Sequence, residues 1–530
     1  MIGKLSLKNL KIAKKDPYEI CKDSSINQQD FDYAIIGGGS GGVASASKAG
    51  KLGLKTILFD FVEPSPQGSK WGLGGTCVNV GCVPKKLMHN SAIIKETLKL
   101  SEFYGYGKTP YEAEFDWNTL VNNIQLHIKA TNYDTASGLK GEDVKYVNCM
   151  ATLKDPNTIL YSPDPQEIYH FIETGEVRDE NKVGTLNSKY SLVAVGGRPK
   201  LMKEEDCPGA HYSLTSDDIF SLEKPPGKTL VVGSGYIGVE CTSFLHKMGF
   251  ETTLLARSTV LRGFDQGVIG RLKEFMIDKF GMDVREGYTC KSITKDAEKD
   301  GYNVEIVSTT NPDEAPTVEY FDTILMAISR EALTDNLNLS RIGVELNGWN
   351  KKVIGGHNGE MELTSVDNIY AVGDMLEGVP ELTPTAIISG VNVAEKVYNR
   401  VNKVEEDRKE VDFSWTPTTI FSYPEYSMCG YSEEEAIEKY GEENVEVWHM
   451  ITTPLEESLR MEGNFLNGEF AKMTSYFKVI CKTDEDDKVI GMHYLGQHAG
   501  EVIQGYAVSL TSSIPFFAFF PVFVVFLLIF

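Results

Sequence analysis

The chain is 530 residues long, 42% hydrophobic and 24% charged, which is enough for about three domains with ample core. A formal net charge of −23 repels phosphate backbones and excludes nucleic acid as a partner. Of nine cysteines only Cys77 and Cys82 are close in sequence, which suits a reducing compartment with one functional pair better than a secreted disulfide framework.

Residues 1–30 carry Lys4, Lys8, Lys11, Lys14 and Lys15 before any acid, with no Arg and no uninterrupted apolar stretch. They read as a disordered or loosely docked arm rather than a signal peptide, with an organelle-targeting role as the minority reading. Residues 31–36 read as a buried strand, followed by Gly37-Gly38-Gly39-Ser40-Gly41-Gly42 and an Ala/Ser-rich helix to Leu52. A second strand, 55–59, ends at Asp60. This is the dinucleotide fingerprint in its structural context. Gly37 makes the turn, Gly39 lets the backbone approach a pyrophosphate and Gly42 lets helix pack on strand. Asp60 lies about 20 residues on, where a carboxylate accepts ribose hydroxyls.

Next comes Gly74-Gly75-Thr76-Cys77-Val78-Asn79-Val80-Gly81-Cys82-Val83-Pro84-Lys85-Lys86. Pro84 opens a helical pattern, because proline tolerates the first helical turn. Cys82 therefore falls at or just outside a helix N-terminus, where the dipole and unpaired N–H groups favour a thiolate. Cys77, one short loop away, can close a disulfide with it. A structural staple would stabilise the fold by only about 2 kcal/mol for so short a loop. A zinc site lacks a second close Cys or His pair. Redox chemistry is the better reading of the pair.

Residues 86–104 and 117–139 read as helices, 144–163 as alternating strands, and 191–199 as a strand ending in a turn. Thr215-Ser216-Asp217-Asp218 resembles a helix cap. Then the fingerprint recurs. Strand 229–232 leads into Gly233-Ser234-Gly235-Tyr236-Ile237-Gly238 and a helix over 239–248. The following strand, 252–256, ends without an acid, and Arg257 and Arg262 come after it. A carboxylate there would hold the 2′-hydroxyl of NAD, whereas arginines suit the extra phosphate of NADP. The spacing predicts two nucleotide sites in one chain. Residues 320–328 read as a further strand, and 368–374 as a strand ending in Asp374. Glu381-Leu382-Thr383-Pro384 then leads into a helix over 385–401. Residues 404–411 are charged and read as a linker. The remainder, from about 413, reads as a separate α+β domain with a helix over 433–440.

These motifs resemble the flavin disulfide reductases of the glutathione reductase group, and among them the high-molecular-weight thioredoxin reductases. Residues 60–68, 71–82, Leu261-Arg262-Gly263-Phe264-Asp265-Gln266 and Gly500-Glu501-Val502-Ile503-Gln504-Gly505 carry the likeness, which runs from about 31 to about 510. The resemblance implies an α/β fold of two Rossmann-like domains, binding FAD and NADPH, plus a C-terminal α+β dimerisation domain. It divides the chain into an arm (1–30), an FAD-binding domain in two parts (31–199 and 330–403), an NADPH-binding domain (200–329), an interface domain (413–510) and an apolar tail (511–530). Gly37, Gly39, Ser40, Gly41, Gly42, Asp60, Thr76, Cys77, Lys85, Asp374, Glu381 and Thr383 would lie at FAD, with Lys85 paired to Glu240 near the flavin N5. Gly233, Ser234, Gly235, Ile237, Gly238, Glu240, Arg257, Arg262 and Ser329 would serve NADPH, with Tyr236 as the lid of its pocket. Cys82 would be the charge-transfer thiolate and Cys77 the outward-facing interchange thiol. Electrons would pass from NADPH to FAD, to Cys77–Cys82, and then to thioredoxin or a similar small disulfide protein. The protein would be a homodimer, cytoplasmic, with mitochondrial residence as the other possibility. Two departures are mild: Val195 replaces a Thr, and Ser329 replaces a Gly, affordable if its φ stays negative.

The end of the chain departs further. The resemblance implies a His-Pro-Thr segment with an acid/base His and a second redox pair, and neither is found here. Residues 514–530 are apolar, at the lower length limit for a membrane-spanning helix, yet they contain Pro515 and Pro521 and no flanking Lys or Arg after Lys488. A spurious or alternative terminus is the favoured reading, ahead of a membrane anchor and of a soluble core segment. The chain as written is expected to complete the first half-reaction and to be weakened in the last step. Glutathione-disulfide reductase, a diaphorase-like flavoenzyme and a non-catalytic or membrane-attached isoform stay open as alternatives.

Overall fold

The strand Asp30–Ile36 organises the first half of the computed structural model, which describes residues 16–106, 115–405, 411–452, 454–455 and 475–511. Two compact units emerge. The first is built from Met1–Phe61, Thr135–Gly196 and Ala332–Glu410. Its seven-stranded sheet sets Asp30–Ile36 between Thr56–Phe59 and Gly184–Val193, all parallel, with Lys145–Val147 beyond the first neighbour. Gly184–Val193 also takes Ile369–Ala371 in parallel and Thr158–Ser162 in antiparallel pairing. Burial of both sheet faces explains the unbroken apolar run Ala34-Ile35-Ile36, which shows no alternation. The helix Ser40–Lys51 packs on Thr383–Asn402 so closely that a Cβ on Gly390 would strike the carbonyl of Gly41.

The second half of the N-terminal arm is not loosely docked. Pro17–Lys22 forms a 3-10 turn capped by Asp16, Cys21 is buried with its thiol on the Lys182 carbonyl at 3.2 Å, and Tyr18 donates to Asp164 at 3.1 Å. Burial of Cys21 and Ile26 supplies the apolar anchor that lysine-rich composition concealed. Residues 1–15 lie outside the described residues.

The second unit comprises Val62–Asp134, Gly197–Glu331 and Val411–Phe530. It holds a four-stranded parallel sheet ordered Asp283–Glu286, Thr252–Ala256, Thr229–Val232, Thr323–Met326. A three-stranded antiparallel sheet runs over Tyr288–Lys295, Tyr302–Ser308 and Thr317–Phe321. A five-stranded antiparallel sheet is ordered Thr418–Ile420, Glu425–Gly430, Lys488–Gly496, Ser475–Lys482, Val445–Thr452. The predicted strand over 320–328 is in fact two strands of different sheets, Thr317–Phe321 and Thr323–Met326. Asp322 breaks the run by turning its carboxylate to the Lys228 N–H at 2.7 Å. The expected strand over 191–199 likewise ends at Val193, and Gly197–Pro199 pairs instead with Arg330–Ala332. The caps at Thr215 and Ser432 are both full capping boxes, the second opening the helix Glu433–Tyr440.

Candidate redox site and nucleotide-binding loops

Cys77 sits inside a short helix, Gly75–Val80, where a loop was expected. Cys82 is the first residue of the long helix Cys82–Ser101, whose Gly81 cap offers no side-chain hydrogen bond. The first N–H groups of that helix are therefore available to a negative sulfur. Gly81 lets the two helices meet: a Cβ there would lie 3.2 Å from the Cys77 Cα and 2.9 Å from the Thr76 carbonyl. Cys82 is exposed and Cys77 half-buried. Thr76 is half-buried beside them. One turn into the long helix, Lys85 reaches Glu240 at 2.7 Å. Glu240 is buried on the helix Tyr236–Met248, and the same carboxylate oxygen accepts the Phe421 N–H at 2.8 Å. The predicted Lys85–Glu240 pair is thus brought together.

In the first unit the strand Asp30–Ile36 delivers Gly37 with φ 112° against the Ala194 backbone, and a Cβ on Gly42 would collide with the Gly37 carbonyl. Gly39 caps the helix Ser40–Lys51 without a side-chain acceptor. Such a helix start is an anion site, with unpaired N–H groups and the positive dipole end. Asp60 accepts the Gly38 N–H at 2.9 Å, and burial holds its carboxyl up to about 6 against that hydrogen bond. Asp374 follows the strand Ile369–Ala371 and Thr383 opens the helix Thr383–Asn402, while Glu381 is exposed and bound to Lys352 at 2.7 Å. Ser40 and Gly41 form the first helical turn, where a Cβ on Gly41 would meet the Val372 side chain at 2.9 Å.

The second unit repeats this loop. Gly233, φ 109°, lies against the Ala327 backbone, and a Cβ on Gly238 would collide with the Gly233 carbonyl. Gly235 caps Tyr236–Met248 with no side-chain hydrogen bond, and nothing lies within 4 Å of where its Cβ would be. Tyr236 is 40% exposed, standing over this helix start, and Ile237 follows it. The Ser234 carbonyl accepts the Leu261 N–H at 2.9 Å, which ties the glycine loop to the segment bearing Arg257 and Arg262, both exposed. Ser329 is exposed, stays out of the left-handed region, and donates to the Arg330 carbonyl. Two glycine-rich helix starts without side-chain caps fit the diphosphates of two dinucleotides.

Residues 31–390 match the family described as pyridine nucleotide-disulphide oxidoreductase, and residues 416–520 match the dimerisation domain of that family. The chain belongs to the pyridine nucleotide-disulphide oxidoreductases. This oxidoreductase is 41% identical over 488 residues to the thioredoxin reductase of Plasmodium falciparum (isolate FCH-5), spanning 91% of this chain and 84% of that one. It is 39% identical to thioredoxin reductase 2, mitochondrial, of Drosophila melanogaster, spanning 92% and 86%. With thioredoxin reductase SEP1 of Emiliania huxleyi it shares 37% identity, spanning 91% and 90%. The expected fold class, two dinucleotide-binding domains and a C-terminal dimerisation domain, agrees with both family matches. Among the described residues no helix is long and apolar enough to cross a membrane. The apolar tail lies outside them from residue 512 onwards.

Several residues around the oxidoreductase's cysteines carried no signal in the sequence. Asn132 donates to Asn79 at 3.0 Å and to the Leu73 carbonyl at 2.5 Å, while Asn79 donates to the Gly75 carbonyl at 2.8 Å. These bonds fix the turn into the Cys77 helix. Phe421 lies under both Lys85 and Lys86, at 4.4 and 4.0 Å. Buried Glu425 accepts His89 at 2.8 Å; although burial opposes it, His89 and Lys86 pull its carboxyl below the usual range. Beyond Arg262, Asp265 caps the helix Gln266–Glu274 and is paired with buried Lys478 at 2.6 Å. That pair anchors the arginine segment at its far end. Apart from the local Asn79–Gly75 bond and the Asp265 cap, these contacts join residues 53 to 336 apart in the chain, which is why no spacing rule finds them.

Proposed function

We propose that the chain is an NADPH-dependent FAD disulfide reductase of the thioredoxin reductase type, with the residue roles and domain boundaries that the resemblance implied. The observation that carries this reading is the Cys77/Cys82 pair at a helix junction, one turn from the Lys85–Glu240 ion pair. Its proposed substrate is a small disulfide protein such as thioredoxin, and its working form a homodimer through the dimerisation domain. The cytoplasm is the proposed compartment; the mitochondrial name of one relative supports the organelle as the second reading.

Bound flavin would supply the two-electron relay that side chains lack. The chain's own residues do the rest. The N–H groups opening Cys82–Ser101 favour negative charge on the Cys82 sulfur. Buried Glu240 holds the Lys85 ammonium in place beside that helix start. The Cys77 thiolate attacks the substrate disulfide, one substrate sulfur leaves as a thiol, and Cys82 then displaces the second, restoring Cys77–Cys82.

Two variants test the order of attack. Cys77→Ser should abolish disulfide reduction while NADPH still bleaches the flavin absorbance under anaerobic conditions. Cys82→Ser should trap a mixed disulfide on Cys77, read by non-reducing mass spectrometry. A mixed disulfide trapped on Cys82 in Cys77→Ser would reverse the roles. Oxidised thioredoxin, glutathione disulfide and a quinone assayed side by side separate this reading from a glutathione reductase or a diaphorase. A chain that NADPH cannot reduce at all would overturn the proposal.

A further inference from the structure

The sequence singled out one cysteine pair; the fold assembles another. Cys207 and Cys290, 83 residues apart, lie with their sulfurs 3.4 Å from each other, and both are buried at 0% and 1% exposure. Cys207 precedes the 3-10 turn Ala210–Tyr212, and Cys290 lies on the strand Tyr288–Lys295 at the edge of a β-bulge. The two segments are pinned by backbone: the Ile293 N–H donates to the Pro208 carbonyl at 2.8 Å, and a Cβ on Gly209 would collide with the Ile293 carbonyl. The sulfur contact is therefore enforced by its surroundings, not by two mobile side chains meeting.

We propose that Cys207 and Cys290 form a second dithiol site that closes to a disulfide on reaction with a small peroxide. The remaining movement is about 1.4 Å, from the observed contact to a normal sulfur–sulfur bond. The environment also orders the two thiols. The hydrogen bond from Cys290 holds Cys207 below the ordinary thiol range, although burial opposes it. The same sulfur contact, together with burial, pushes the Cys290 thiol well up. Cys207 can thus act as the nucleophile and Cys290 as the resolving thiol, and the reverse order closes the same disulfide.

The step balances as follows. The Cys207 sulfur attacks one peroxide oxygen, the O–O bond breaks, and water leaves with one proton to give the Cys207 sulfenic acid. The Cys290 sulfur then attacks that sulfur and displaces the hydroxyl as a second water, carrying the Cys290 proton. Two thiols lose two electrons and hydrogen peroxide gains them. Burial selects a small oxidant and shields the product from bulky protein reductants, in contrast to exposed Cys82.

The full chain, as wild type and as Cys77→Ser, is treated with several equivalents of hydrogen peroxide per thiol, alkylated and mapped without reduction. The expected product is a Cys207–Cys290 linked peptide, lighter by two hydrogens than its parts and lost on reduction. Cys290→Ala should abolish the link and leave Cys207 as sulfinic acid. Both cysteines recovered alkylated in the wild-type map, or a link seen only after denaturation, would overturn the site whether or not the variant folds. Neither outcome bears on Cys77 and Cys82, so this proposal stands or falls apart from the reductase reading.

Discussion

The two glycine loops of this chain are nearly the same object built twice. Gly37 lies against the Ala194 backbone and Gly233 against that of Ala327; Gly42 sits on the Gly37 carbonyl and Gly238 on that of Gly233. The N–H of Gly37 donates to Phe59 at 2.8 Å, and that of Gly233 to Leu255 at 2.9 Å. The difference begins one residue later. Asp60 follows Phe59 and returns to bond the Gly38 N–H, whereas Ala256 follows Leu255 and the chain runs on to Arg257. One scaffold for a diphosphate thus ends in a carboxylate in one unit and in arginines in the other. The scaffold selects the class of ligand, and the residues at the strand end select which member.

The widest separation between the loops should come from their closest approaches. An Ala at Gly42 or Gly238 places a Cβ in the space of a backbone carbonyl, which neither loop can yield without moving its helix. Gly42→Ala should leave the soluble protein colourless, with its FAD-to-protein ratio near zero. Gly238→Ala should stay yellow yet react with NADPH about 100-fold more slowly, the equivalent of about 2.7 kcal/mol. Stopped-flow reduction and visible absorbance measure both. Loss of flavin in both variants would show that the two loops do not act separately.

The arginines should come next in size. A charge-assisted hydrogen bond contributes about 1.5–3 kcal/mol, so Arg257→Ala or Arg262→Ala should raise KM for NADPH by about 10-fold or more. Neither should change KM for NADH, because that nucleotide lacks the phosphate they would meet. Steady-state kinetics with both nucleotides checks this. An equal rise for both would mean that the arginines support the loop and do not read the phosphate.

The loops were legible because their chemistry is local: glycine spacing, a strand before and a helix after all lie within about 30 residues. The Cys82 helix was legible for the same reason, but its start was read from Pro84. Proline is tolerated anywhere in the first turn, since those N–H groups have no intrahelical partner, so it does not mark the first helical residue. The helix at Cys77 was read as a loop because six residues opening on glycine carry no periodic signal, and Asn132 fixes it from 53 positions away. Cys207 and Cys290 escaped for a related reason. Nearness in sequence finds pairs closed by a turn, and this pair is closed by the backbone contact between residues 208–209 and 293.

The smallest expected effect sharpens the contrast between carboxylate and alanine at the strand end. Burial holds Asp60 up to about 6, well above an ordinary carboxyl. Between about 4 and that value the folded chain keeps a proton that the unfolded chain has released. Stability therefore falls as pH rises through this window, and above it the full cost of the buried charge is present. The shift alone would correspond to about 3 kcal/mol, and since Asp60 is only half-buried the observable share should be about 1–2 kcal/mol. Asp60→Asn keeps an acceptor for the Gly38 N–H and removes the charge. Flavin-stripped wild type should thus gain stability in denaturant titrations between pH 7.5 and 5, while the stripped variant changes less and binds FAD more weakly. Parallel pH curves for the two would mean that the carboxylate is already solvated in the empty loop, and that its strand end tolerates charge as readily as the arginine end does.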